Sequence, residues 1–173
     1  MPVWIVGGKG VTINFEVSHY QNDMILEKSH TALSCPIAKG LESVGDAWSI
    51  LILRDAHDGH TRFEQFRRSL GISPGILTAR LTTLTASGLL AKQLYSLKPA
   101  REEYVLTDAG RDFLPVLAVI GAWAQRNCGT GLARYIDVET GNPIEPIVVD
   151  AVTGAKLGSR PIRVQNDQDR IPA

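Results

Sequence analysis

The stretch at residues 72–88, ISPGILTARLTTLTASG, constrains this chain more than any other. Ser73 is a good N-cap, and Pro74 suits the first helical position, where its missing N–H is not needed. Leu77, Leu81 and Leu84 recur at i, i+4 and i+7, which makes one apolar stripe. The remaining positions, Gly75, Thr78, Ala79, Arg80, Thr82 and Thr83, are small or hydroxylated, with one arginine and no acid. A helix with an apolar back and a slim, polar, acid-free front fits the major groove of DNA. The same pattern also suits an ordinary amphipathic surface helix, so the surroundings must discriminate.

The charge pattern favours a polyanion. From His60 to Arg101 stand seven basic residues, Arg62, Arg67, Arg68, Arg80, Lys92, Lys98 and Arg101, against a single acid, Glu64. The whole chain has zero formal net charge, so this excess is local. Clustered positive charge is the electrostatic footprint of a nucleic-acid partner, whereas a merely solvated basic face interleaves acids.

The flanking residues predict a scaffold. Ser34 or Cys35 caps a helix with Pro36 in its first turn and Ile37, Leu41 and Val44 on its apolar face; Gly45 ends it. Asp46 caps residues 47–56, apolar almost all round through Trp48, Ile50, Leu51, Ile52 and Leu53, hence central and buried. A turn follows at His57-Asp58-Gly59-His60. Thr61 is expected to cap the next helix, with Glu64 completing a capping box. Phe63, Phe66 and Leu70 face inward there, and Arg62, Arg67 and Arg68 face out. Gly71-Ile72 turns tightly into the Ser73 helix, and two short helices so joined match the helix-turn-helix pattern.

Gly88 reads as the C′ residue of that helix. Residues 89–95 and 102–106 read as strands, with a basic loop, residues 96–101, between them. This hairpin is a wing, whose Lys98 and Arg101 can grip phosphates or enter the minor groove. Thr107 caps a long helix from 108 to about 127, striped by Phe113, Leu114, Leu117, Ile120 and Trp123, with Pro115 inside it as a kink point. The predicted class is mainly α with a small β wing (α+β), a winged helix-turn-helix with a short β-rich C-terminal extension.

Composition bounds the rest. At 44% hydrophobic and 21% charged the chain is globular in type. No apolar run approaches the ~20 residues that span a bilayer, so no membrane partner is expected. No continuous apolar h-region or A-x-A site marks a secretory signal, which predicts a cytoplasmic location. Residues 1–23 read as a poorly ordered arm, with Met24 as a second candidate start. Residues 24–128 are expected to form the winged helix-turn-helix DNA-binding domain. Residues 129–164 form a β-hairpin extension, and 165–173 a polar, disordered tail.

The extension carries a small repeat, DVETGNPI from Asp137 and DAVTGAKL from Asp150. Each is expected to be a turn followed by a strand, at residues 147–149 and 161–164. The pair resembles zinc-ribbon knuckles in which C-x-x-C-G has become D-x-x-T-G. Without thiolates no structural zinc is expected. Hairpins this small are not stable alone, so docking on the winged domain or on a second protomer is expected. His57 and His60 have H-x-x-H spacing, but in a Gly-containing turn a solvated loop is the favoured reading over a metal site. No G-x-S-x-G, Walker A or G-x-G-x-x-G occurs, so neither an enzyme nor a cofactor is expected.

Taken in order, CPIAKGLESVGDAWSILILRD, TRFEQFRRSLGISPGILTARLTTLTASGLL and REEYVLTDAGRDFLPVL resemble the HxlR-type winged helix-turn-helix regulators, over roughly residues 35–123. The resemblance implies a transcriptional regulator that binds double-stranded DNA as a homodimer, its first and last helices pairing the protomers. A pseudo-palindromic operator would follow from that symmetry. This chain departs from the family where Gly75, Ala79, Thr82, Thr83 and Thr85 stand, since relatives often carry charged residues there. Bidentate guanine reading is thus less expected than thymine-methyl, hydroxyl and shape readout.

The expected DNA-binding set is Arg62, Arg67, Arg68, Lys98 and Arg101 on phosphates, with Ser73, Gly75, Thr78 and Thr82 at the reading helix. Arg80 either joins the base contacts or makes an internal salt bridge. Cys35 matches a cysteine that senses oxidants or electrophiles in some members, which would imply a small-molecule or oxidant inducer. The favoured alternative is a small residue filling the dimer seam, because only Lys39 is a nearby base. A winged-helix protein-interaction module without DNA is the competing class.

Overall fold

The computed structural model describes residues 35–163. The expected arm at 1–23, the Met24 start, the Ser34 cap and the tail at 165–173 lie outside the described residues. The chain divides into two compact units, Met1–Lys39, of which residues 35–39 are described, and Gly40–Ala173. Helix α1, Pro36–Val44, crosses that division, and its first backbone bond runs from Lys39 N to the Cys35 carbonyl at 3.0 Å.

In the second unit Asp46 caps α2, Ala47–His57, by accepting from Ser49 N at 3.1 Å. This helix is central, as its sequence demands. Ile52 and Leu53 are fully buried, and α2 packs against α3, α4, the wing and the last helix. Two polar residues go in with them, Ser49 and Asp55. Arg54 Nε and a terminal nitrogen donate to one Asp55 oxygen at 3.0 and 2.6 Å, so the buried carboxylate is paired.

Helix α3, Phe63–Leu70, begins one residue later than expected. The Thr61–Glu64 capping box does not form. Gln65 Oε1 instead accepts from Thr61 N (3.0 Å) and Arg62 N (2.8 Å). Glu64 is drawn away by Arg67, and the Thr61 hydroxyl donates to Glu103 of the wing at 2.7 Å. A shift of one residue is enough to exchange which side chain reaches the orphan N–H groups.

Gly71 takes the left-handed conformation, φ +61°, that the sharp turn after α3 requires. Ile72 is buried there, and Ser73 accepts from Ile76 N to open α4, Pro74–Ala86. Leu77, Leu81 and Leu84 are fully buried and form the floor of the core with Ile52, Leu53 and Phe66.

The wing is longer and its turn tighter than expected. Strand β1, Leu90–Leu97, pairs antiparallel with β2, Ala100–Leu106, so only Lys98 and Pro99 remain in the turn, joined by a cis peptide bond. A bulge at Tyr95 shifts the register, after which Ser96 pairs with Arg101 and Leu97 with Ala100. Polar residues that read as loop are held in strands by this cross-strand pairing.

The expected long helix is broken. A single turn, α5 (Asp108–Arg111), capped by Thr107, gives way at Asp112-Phe113 to α6, Leu114–Asn127. Pro115 is not a kink but part of the first turn of α6, where it breaks no helical bond.

The extension forms two knuckles rather than turn-plus-strand units. Single β-bridges, Ile136 with Pro143 and Val149 with Lys156, bracket the two D-x-x-T-G turns, and residues 161–163 are not a strand. Asp137 Oδ1 accepts from the backbone of Glu139 (2.9 Å) and Thr140 (2.8 Å). Asp150 accepts from Val152 N (3.0 Å) and from the Thr153 hydroxyl (2.5 Å). Backbone N–H bonds, led by Thr140, hold the Asp137 carboxyl below the usual carboxylate range. For Asp150 the Thr153 hydroxyl has the larger part. Each carboxylate thus accepts hydrogen bonds from the residues that follow it in its own turn. Tyr135 docks this segment, its ring lying where a Cβ on Gly121 of α6 would meet it at 3.1 Å. Gln125 also donates to the Ala133 carbonyl at 2.7 Å.

Candidate nucleic-acid interface

The outer side of α4 is what the leucine stripe leaves over. Gly75, Thr78, Ala79 and Thr82 are all exposed, at i, i+3, i+4 and i+7 opposite the buried leucines. Beyond its own helix backbone, nothing among the described residues lies within 4 Å of a Cβ built on Gly75, so no contact there demands glycine. The Thr78 hydroxyl donates to the Pro74 carbonyl at 2.8 Å, and Thr82 to the Thr78 carbonyl at 2.9 Å. Thr83 and Thr85 bond back in the same way, to Ala79 and Leu81. Ser73 is exposed at the cap.

The structure sorts the seven cations into two groups. Three are paired. Arg67 meets Glu64 at 2.9 Å, Lys92 meets Glu102 at 2.9 Å, and Arg80 meets Asp46 at 2.6 Å. The hydrogen bond from Arg67 lowers the Glu64 carboxyl and raises the guanidinium in turn, and the bond to Glu102 raises the Lys92 ammonium. Both Glu102 and Asp46 lie outside the segment in which Glu64 stood alone. Arg80 therefore takes the internal salt bridge, one of its two expected roles, and joins α4 to the cap of α2.

The other four, Arg62, Arg68, Lys98 and Arg101, are exposed and make no ion pair among the described residues. Arg62 lies over the Tyr95 ring at 4.5 Å from its centroid, which links the entrance of α3 to the wing. Lys98 occupies the wing turn and Arg101 the start of β2.

Thr107, expected only as a helix cap, and Gly110, which the sequence reading passed over, hold this arrangement together. Thr107 donates to the Gly88 carbonyl at 2.5 Å, and its N–H bonds to the Leu89 carbonyl at 3.1 Å, which ties the end of the wing to the end of α4. Gly110 is buried against Leu89 and Leu106, with no room for a Cβ. A glycine three residues after a capping threonine, at a costly place for helix propensity, is the signal that marks it. His57 and His60 are half-buried. His57 Nε2 is 3.1 Å from the Gly110 carbonyl, which joins α2 to α5, and His60 Nδ1 is 3.1 Å from the Asp55 carbonyl, which closes the turn after α2. No group of three or more potential metal-ligating side chains occurs among the described residues. Cys35 is half-exposed just before Pro36, and Cys128 is exposed after α6. No described helix is long and apolar enough to cross a membrane.

Comparison with known proteins agrees with the geometry. The HxlR-like helix-turn-helix family profile matches residues 43–131. The HTH-type transcriptional regulator Mb3122 of Mycobacterium bovis is 40% identical over 121 residues, 70% of this chain and 72% of its own. The solved structure of PA1607 superposes with a TM-score of 0.71 at 36% identity, covering 80% of this chain and 99% of that one. The redox regulator HypR in its oxidized form gives 0.50 at 31% identity, over 56% of this chain and all of its own, 100%. Helix-turn-helix, wing and buried leucine stripe together with these matches establish that the chain belongs to the HxlR-like helix-turn-helix family.

Proposed function

We propose that the chain is a DNA-binding transcriptional regulator that acts as a homodimer on a pseudo-palindromic operator. Helix α4 lies in the major groove, and Arg62, Arg68, Lys98 and Arg101 hold the phosphates. The observation that carries this reading is the set of four exposed cations without an ion pair among the described residues, on segments flanking an acid-free helix face. The homodimer is supported by apolar side chains that this chain leaves uncovered: Leu41 on α1, and Val116, Ile120 and Trp123 on α6, the last 56% exposed. These are the helices through which the family pairs its protomers. Sedimentation should give a dimer.

Salt dependence tests the DNA reading. Each phosphate contact lowers the slope of log K against log salt by about 0.9. Lys98→Ala and Arg101→Ala should each make the slope shallower by about that amount with the melting temperature unchanged, whereas Lys92→Ala, whose ammonium already holds Glu102, should leave it alone. Absence of salt-sensitive binding to any genomic duplex would point instead to a winged-helix module that binds protein.

Cys35 is read as a packing residue of the dimer seam rather than as a sensor, because the second observation a sensor needs, a cationic neighbourhood, is missing from the sequence around it. Peroxide or quinone treatment should therefore leave operator affinity unchanged. An oxidant-dependent loss of affinity, abolished in Cys35→Ser, would make an oxidant the inducer and reverse this assignment.

A further inference from the structure

We infer that the reading helix recognises thymine through its 5-methyl group and does not read guanine; this rests on the DNA-binding function proposed above. It follows from an inventory of side-chain hydrogen-bond donors within α4 itself, Pro74–Ala86, apart from the Ser73 cap that precedes it. Guanine presents two acceptors, N7 and O6, in the major groove, so reading it requires a donor. Thr78 and Thr82 have turned their hydroxyl protons back onto the Pro74 and Thr78 carbonyls. Thr83 and Thr85 have done the same. The one cation on the helix, Arg80, is held by Asp46 at 2.6 Å, and that carboxylate is itself fixed because it caps α2.

Gly75 and Ala79 have no polar side-chain atom to offer. The exposed set Gly75, Thr78, Ala79 and Thr82 thus presents methyl groups, hydroxyl lone pairs and, at Gly75, a space that no other described residue fills. Methyl groups pack on the thymine methyl, and lone pairs accept only from the amino groups of adenine or cytosine. Attraction to the duplex then comes from cations outside the helix, and base choice from apolar fit at α4.

The test uses the full chain and a duplex selected from genomic fragments by binding, read by fluorescence anisotropy. Replacing the thymines of the contacted half-site by uracil removes only the methyl groups and should weaken binding about fourfold per contact, the transfer value of one buried methyl group. Replacing guanine by 7-deazaguanine should change nothing. Thr78→Val and Thr82→Val keep the methyl and should retain affinity, while Thr78→Ser and Thr82→Ser should lose it. Specific binding that ignores uracil but falls with 7-deazaguanine would overturn this inference and leave the regulator function standing. Failure to bind any duplex in a salt-sensitive way would overturn both.

Discussion

Thr82→Glu should abolish specific duplex binding while the protein melts at its usual temperature. Thr82 is exposed, and its hydroxyl bonds only within its own helix, to the Thr78 carbonyl. Glutamate is a better helix former than threonine, so stability should change by no more than about 0.5 kcal/mol. On the duplex the new carboxylate would stand in a groove walled by phosphates, and like-charge juxtaposition at an interface costs several kcal/mol. The expected loss is at least about a hundredfold, since each 1.4 kcal/mol is a factor of ten. Anisotropy titration paired with a thermal melt reads both quantities. Undiminished binding by a normally folded variant would take α4 out of the interface.

The second large effect is on stability. Gly110→Ala should destabilise the fold by about 3 kcal/mol, as overpacking against rigid neighbours does. Its Cβ would fall onto the Leu89 carbonyl oxygen and lie 3.0 Å from Leu106 Cδ2. The carbonyl cannot give way cheaply, because it already accepts from the Thr107 N–H at 3.1 Å. Moving it loosens the junction that joins α4 to the wing. For a domain of this size the melting temperature should fall by roughly 10 °C. A melt within a degree or two of the unsubstituted protein would show that the junction is softer than this packing implies.

The two predictions differ in how visible their residues were beforehand. Thr82 could be assigned to an exposed face by counting from Leu81 and Leu84, because helical periodicity is a local property. Gly110 could not, because Leu89, whose carbonyl it abuts, comes to it through the hairpin. The Gln65 cap, the break before α6 and the extra strand pairs beyond the Tyr95 bulge belong with Gly110. In each, propensity allowed two local solutions and packing chose between them.

By itself the sequence determined the order of helices and wing, the leucine stripe, the Asp46 and Ser73 caps and the tight turn at Gly71. All depend on contacts within a few residues. Tertiary structure decided which charges remain available. Arg80 is neutralised by Asp46 from another helix, and Lys92 by Glu102 from the facing strand. Salt bridges join residues by distance in space, so a tally along the chain found seven cations where folding leaves four without an ion pair among the described residues.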